Sequence, residues 1–412
     1  MPLGSLTEEE PCYGTSATAV VRTDESQPKY IRITDFDDYG IAPNHQYMTA
    51  ESYSGKHFLK EGDVLFARSG ATVGKTYYYD GSIGSAVFAG YCIRFRFDDS
   101  KILPKFAYWY TKTSAYTEWV KGIQRPSGQP NINKEEFKSF EIIVPDLSSQ
   151  ARMIRTMDSA VWSMQDRFGK VINYLRSFQE FIVDKYSLLD SRAEVFYRVI
   201  RNKDLDGVID AKRYLKTKKV GSQQLSDICD IIEEKTNVTK YGNQTIDWIR
   251  IDDLPNNPID IETVRTTTAS AMEGSFFEVK KDDILVARLG PTILNQKIVL
   301  VRSIERPTLA SAEFLVLRCK AGYNPEAVMA ILKTEYYRDL MYSHSRGSTP
   351  SRYRLNREDA LKLPFPDIRE SQDALAAEAL RVRDEVLKLR REAIEEWENA
   401  KEQFEKALLG ES

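Results

Sequence analysis

The sequence predicts an α+β protein built as two repeats, each a compact α+β domain followed by a long helix, with the two helices pairing as an antiparallel coiled coil. Three observations predict this. A string of motifs occurs twice in the same order. Strand-like segments and aromatic-faced helices recur inside each copy. An apolar run at alternating three- and four-residue steps follows each copy.

The duplication rests on register. Tyr30-Ile31-Arg32-Ile33-Thr34-Asp35 returns 218 residues on as Trp248-Ile249-Arg250-Ile251-Asp252-Asp253. The stretch Gly62 to Gly70 returns 220 residues on as Asp282 to Gly290. Asn133-Lys134-Glu135-Glu136 returns after 223 as Asn356-Arg357-Glu358-Asp359, and Pro145-Asp146 after 221 as Pro366-Asp367. Chance matches would not keep one order with so small a drift. Within the first copy, Val64 to Ala67, Tyr91 to Arg96 and Glu141 to Val144 read as strands, and Ile284 to Ala287, Phe314 to Arg318 and Leu363 to Pro366 are their counterparts. Leu103 to Val120 and Pro325 to Tyr342 read as helices.

After the first copy come Ile154, Met157, Val161, Met164, Phe168, Val171, Leu175, Phe178 and Ile182, the spacing of a coiled-coil seam. The second run is Val382, Val386, Leu389, Ala393, Trp397, Ala400 and Phe404, with one stutter around Ala393. Asp146, Ser148 and Asp367 are the expected N-caps. Trp162 and Trp397 either finish the seam or mark a docking surface. The expected boundaries are a first domain over 1–147, a long helix over 148–190, a linker over 191–219, a second domain over 220–368 and a second long helix over 369–412.

Composition narrows the function classes. The chain has 412 residues, 42% hydrophobic and 29% charged, as expected of an ordinary globular protein. No apolar run is long enough to span a membrane, and Met1 to Glu10 does not read as a signal peptide. Cys12, Cys92, Cys229 and Cys319 are scattered, which fits a reduced cytoplasmic protein and no zinc site. His45, His57 and His344 share no spacing either. A net charge of −3 argues against holding nucleic acid by bulk electrostatics alone. A local basic face remains open, and partners are expected to supply part of any such grip.

Several motifs invite an enzymatic reading and fail it. Ser69-Gly70-Ala71-Thr72-Val73-Gly74-Lys75-Thr76 nearly matches a phosphate-binding loop, but its first glycine is Ser69 and Tyr77-Tyr78-Tyr79 continues as strand where a helix is required. The second copy loses the Gly-Lys-Thr. The chain lacks a methyltransferase's glycine-rich cofactor loop and Asp/Asn-Pro-Pro-aromatic motif, a nuclease's carboxylate–lysine set, and a nucleophile elbow.

The motifs together resemble a known family. Tyr13-Gly14-Thr15-Ser16-Ala17, Tyr30 to Asp35, Gly62 to Lys75 and Gly128-Gln129-Pro130-Asn131-Ile132-Asn133, closing at Pro145 before a long helix, are similar to the target recognition domain of type I restriction–modification specificity subunits. The domain-plus-helix plan covers nearly the whole chain. The second copy departs more, with Arg288-Leu289-Gly290-Pro291-Thr292 and Thr349-Pro350-Ser351-Arg352-Tyr353-Arg354-Leu355-Asn356 at the matching places. The resemblance implies a non-catalytic subunit in which each head contacts one half of a split double-stranded DNA target. It implies helices that act as spacer and docking surface for two methyltransferase (modification) subunits. Those partners, not this chain, bind S-adenosylmethionine and methylate adenine, and a restriction subunit can join. A specificity subunit of another restriction or defence system, and a coiled-coil scaffold with two protein-binding heads, stand as alternatives.

Base reading needs Arg, Asn or Gln at groove edges, and phosphate contacts need Lys, Arg, Ser or Thr. Two loops of the first head combine these types: Arg68, Ser69 and Thr72 with Lys75, and Arg125, Ser127, Gln129 and Asn131. The matching loops of the second head offer Arg288, Asn295 and Lys297, and Arg346, Ser348 and Arg352. The competing reading of each loop is a solvated turn. Arg32 and Arg250 are also matched, and a structural ion pair competes equally there.

Overall fold

The computed structural model describes residues 1–35, 47–123, 130–188, 223–262 and 264–410. The chain divides into two compact units, one formed by 1–168 with 391–412 and the other by 169–390. Each unit therefore holds one head and a portion of both long helices.

The head of the first unit is built on a four-stranded antiparallel sheet in the order Cys12–Tyr13, Cys92–Phe95, Val64–Ala67, Thr76–Tyr78. The second head repeats it as Cys229–Ile231, Phe314–Cys319, Asp283–Ala287, Ile298–Leu300. Register repeats too: Val64 opposes Phe95 and Ala67 opposes Cys92, as Ile284 opposes Leu317 and Ala287 opposes Phe314. Val64–Ala67 and Asp283–Ala287 are buried along their whole length, so Val64 to Ala67 and Ile284 to Ala287 read as continuous apolar runs and not as alternating strands. A parallel pairing recurs as well, Tyr30 with Val87 and Trp248 with Leu309. The duplication read from the motifs is thus a duplication of topology.

Each sheet is pinned by one buried ion pair. The Asp63 carboxylate accepts two hydrogen bonds from Arg96 at 2.8 Å and one from the Lys60 amide at 2.7 Å. Asp283 repeats this with Arg318 at 2.8 and 2.7 Å and the Lys280 amide at 2.7 Å. Both carboxylates are fully buried, so each requires its charged partner.

The helices differ in detail from expectation. Leu103 to Val120 is two helices, Pro104–Tyr110 and Ser114–Ile123. Between them the Thr111 and Thr113 hydroxyls each donate at 2.7 Å to the carbonyls of Tyr108 and Tyr110, closing the turn locally. The second copy breaks at the same place, into Pro325–Leu332 and Glu335–His344, with Thr334 donating to Ile331 at 2.8 Å. The strand expected over Glu141 to Val144 reduces to one bridge between Pro2 and Glu141, because it lies along the short segment 1–3 and the Tyr110 hydroxyl takes the Ile143 amide. The Leu363 to Pro366 strand is Pro364–Phe365, paired with Gln223–Gln224.

The first long helix covers Leu147–Lys185, 39 residues, and the second Gln372–Leu409, 38 residues. Asp146 caps the first, accepting from the amides of Ser148 and Ser149 at 3.0 Å. Asp367 does not cap the second. It accepts from Arg369 and pairs with that side chain. In the first unit, Met153, Met157, Ala160 and Met164 share a buried cluster with Ala393, Trp397, Ala400 and Phe404, and Arg167 pairs with Glu396. In the second unit, Val171 clusters with Val382, Val386 and Leu389, and the Tyr186 hydroxyl meets that of Ser371 at 2.8 Å. Trp397 belongs to the core, its ring 5.9 Å from that of Trp109, whereas Trp162 is 71% exposed.

Candidate nucleic-acid interface

In the first head, the strand Val64–Ala67 runs out into Arg68, and Gly70 turns the chain with φ of 74°. That positive φ suits glycine. The Gly70 amide donates to the Pro130 carbonyl at 3.1 Å, and Ile132 donates to the Arg68 carbonyl at 2.8 Å. Ser69 and Asn131 therefore face each other as an antiparallel bridge. The two loops singled out in the sequence meet at this point. The Arg68 amide is held by the Tyr91 carbonyl at 2.9 Å. Its guanidinium lies 4.9 Å from the centre of the Tyr13 ring, a cation–π contact. Its Nε is buried and carries no hydrogen bond among the described residues. Tyr13 is fixed in turn, its hydroxyl accepting from the Lys134 amide at 3.1 Å.

The neighbouring Gly14-Thr15-Ser16-Ala17 stretch is a packing device. A Cβ on Gly14 would stand 2.2 Å from the Phe88 carbonyl oxygen, so only glycine admits this approach. The Tyr30 hydroxyl donates to the carbonyls of Thr15 and Ala17 at 2.9 and 3.0 Å. This stretch and the strand from Tyr30 hold the base of the loop cluster.

The second head builds the same cluster. Gly290 donates to the Tyr353 carbonyl at 2.8 Å, Leu355 to the Arg288 carbonyl at 2.9 Å, and Arg288 to the Glu313 carbonyl at 3.1 Å. Leu289 bridges Arg354, which also bridges Arg346. Arg288 repeats Arg68 to the atom: its Nε is buried without a hydrogen bond among the described residues. What surrounds it differs. Arg288 lines a groove of about 580 Å³ with Glu233, Phe277, Asn356 and Arg357. Glu233 pairs with Arg357, and Glu313 pairs with Arg354 through two hydrogen bonds at 2.9 and 3.2 Å.

The remaining sequence-selected residues scatter. Ser69 is buried, and the Thr72 hydroxyl is buried without a hydrogen bond among the described residues. Lys75 lines a separate groove of about 360 Å³ with Lys112 and Lys401. Asn131 is exposed. Arg125, Ser127 and Gln129 lie outside the described residues, as does His45. In the second head, Arg346, Ser348 and Arg352 are exposed, and Arg346 stands 3.6 Å from Asp359. Asn295 and Lys297 stand at the far end of the helix Gly290–Leu294. There Asn295 accepts from the Asn257 amide and Lys297 donates to the Ile251 carbonyl at 3.0 Å. Arg32 is committed to a bidentate pair with Asp35 at 2.9 and 2.7 Å, and Arg250 pairs with Asp252.

Sequence reasoning missed Arg354, which stands in the slot of Asn131. The signal was available: both lie two residues before the matched asparagines Asn133 and Asn356, each of which caps a helix. No group of three or more metal-ligating side chains occurs among the described residues. No helix among them is long and apolar enough to cross a membrane.

Residues 16–162 match the family described as the type I restriction modification DNA specificity domain. A stretch of 149 residues is 24% identical to the specificity subunit of type I restriction enzyme StySPI from Salmonella potsdam, covering 35% of this chain and 32% of that protein. The match thus spans about a third of the relative's length. Among solved structures, the chain is similar to one described under complex assembly and conformational transition of the type I R-M system, at TM-score 0.48 and 13% identity, covering 99% of this chain and 96% of that one. It is also similar to the type I restriction-modification system S subunit from M. genitalium, at TM-score 0.46 and 14% identity, covering 99% and 95%.

Proposed function

We propose that this chain, whose residues 16–162 match the type I restriction modification DNA specificity domain, is a specificity subunit in which each head reads one half of a split double-stranded DNA target. On this reading the chain catalyses nothing itself. The observation that carries it is the repeated cluster at Arg68 and Arg288. One scaffold is used twice, with an arginine at the same point and different exposed side chains around it. A protein reading two unlike half-sites needs that combination. Shared cations fix position on the DNA backbone, and the differing side chains discriminate bases.

The long helices are proposed to pair as an antiparallel coiled coil, to set the spacing of the half-sites and to dock two methyltransferase subunits. Those subunits bind S-adenosylmethionine and methylate adenine, and a restriction subunit joins the assembly. Continuous helices and the exposed Trp162 support this role. A net charge of −3 fits a subunit whose partners contribute phosphate contacts.

The test is methylated-adenine mapping by long-read sequencing of DNA from cells expressing this chain with its neighbouring methyltransferase, against cells lacking the chain. A split motif present only with the chain is the expected result. No chain-dependent motif would replace this reading with that of a protein-binding scaffold.

A further inference from the structure

The slot shared by Asn131 and Arg354 differs in chemistry between heads. We propose that these two residues are the base readers, Asn131 for an adenine in one half-site and Arg354 for a guanine in the other. The inference rests on the DNA-reading function proposed above and adds which residues discriminate and what they select.

The slot is defined by backbone. Residue 131 bridges Ser69, and residue 354 bridges Leu289. The preceding residues, Pro130 and Tyr353, accept from Gly70 and Gly290, and the following residues, Ile132 and Leu355, donate to Arg68 and Arg288. Both readers therefore project from a position locked to the repeated arginine. Precision of this kind is what base discrimination demands, because a side chain on a loose loop spreads its hydrogen bonds over several geometries.

The side chains suit the bases. Asn131 is exposed. Its carboxamide can both donate and accept, matching the N6 and N7 edge of adenine. Arg354 has a side chain 49% exposed. Its Nε and one Nη are held by both oxygens of Glu313 at 3.2 and 2.9 Å. That carboxylate fixes the plane of the guanidinium. The remaining donors point away from it, toward an acceptor pair such as guanine O6 and N7. Arg346 secures the slot from the other side, its amide donating to the Arg354 carbonyl at 3.0 Å and its carbonyl accepting from the Arg354 amide at 2.9 Å. The residue opposite Arg68 at the place of Glu313 is Tyr91, 62% exposed, which carries no charge to orient an arginine. The first head is thus equipped for an amide reader and the second for a buttressed arginine.

A purely structural Arg354–Glu313 pair is the competing account. An exposed ion pair of that kind contributes little to folding and nothing to sequence choice. The experiment separates the two. Methylated-adenine mapping is run on wild type, R354N, R354K and N131A, each co-expressed with the methyltransferase, alongside thermal melting of each purified chain. Wild type defines the split motif. R354N and R354K are expected to melt as wild type and to lower methylation of sites carrying one particular guanine by roughly fivefold to a hundredfold, the worth of one bidentate contact, with the other half-site unchanged. N131A is expected to relax one adenine position in the opposite half-site. The inference is overturned if R354N methylates every wild-type site at the wild-type rate, if R354K retains full discrimination, or if either substitution weakens both half-sites equally. Absence of any split motif with wild type would overturn the proposed function itself, a result distinct from those three.

Discussion

Phe404 lies near the C-terminal end of the second long helix, yet it completes the core of the first unit. The side chain is 2% exposed, and its ring sits 5.4 Å from Phe106, itself fully buried in the first head. Phe404→Ala removes a buried aromatic and its partner contact, and such truncations cost about 3–5 kcal/mol. Taking about 3 kcal/mol, and tenfold for each 1.4 kcal/mol, amide exchange through opening of the first unit should accelerate about a hundredfold. Hydrogen exchange read by mass spectrometry or NMR provides the assay. The reporters are the amides of Phe66 and Phe95, in the central strands of the first sheet. Leu285 and Val316 serve as controls in the second sheet. The reasoning is refuted if protection at Phe66 falls less than threefold, or if Leu285 loses as much as Phe66.

Three further outcomes are expected. Gly14→Ala should unfold or severely destabilise the first head, seen as a lost or lowered thermal transition, because its Cβ would meet backbone at 2.2 and 2.4 Å and neither oxygen can yield. Burial, with Arg302 and Arg390 nearby, pulls the Lys333 amine down to about 7, below its unfolded value. The unfolded chain then binds the extra proton between about pH 7 and 10. Stability of the second unit should therefore rise with pH across that window, and Lys333→Met should flatten the rise in denaturant titrations. Trp162→Ala, at a 71% exposed site, should leave the melting temperature unchanged and weaken association with the methyltransferase by tenfold or more in calorimetry.

The features legible in the sequence were those that local pattern controls. Apolar spacing marks Met157, Met164, Val386 and Phe404, which are buried, but it places Ile154 and Val161 on the seam where Met153 and Ala160 take the buried positions and those two are half-buried. Repeated motifs mark the duplicated sheets, and the matched asparagines Asn133 and Asn356 cap equivalent helices. What escaped depends on non-local geometry. Helical periodicity could not show that Thr111, Thr113 and Thr334 turn their hydroxyls back on the main chain. Trp162 and Trp397 are equally hydrophobic and differ only in tertiary placement, because Trp109 packs beside Trp397 alone of the two. Cys229 and Cys319 look unrelated in the sequence, yet they oppose each other across two strands with sulfurs 3.4 Å apart. Of the interface, the meeting of the Arg68 and Asn131 loops was within reach of the motifs. The slot of Arg354 is legible from its place two residues before Asn356, but its pairing with Glu313 is not, because Glu313 lies 41 residues earlier, in the turn between the strands Thr308–Ser311 and Phe314–Cys319.

The first unit is assembled from segments separated in the chain, 1–168 and 391–412, while the second is drawn from one continuous stretch, 169–390. On a ribosome adding about 5–20 residues per second, the segment carrying Trp397 and Phe404 emerges some 10–45 s after the first head has been made. During that interval Phe106, Trp109 and the Met153–Met164 face of the first helix have no permanent cover. The order of synthesis is therefore the reverse of the order of completion. The head translated second can close first, and the head translated first waits, with an apolar surface open to a chaperone, for the final helix to arrive.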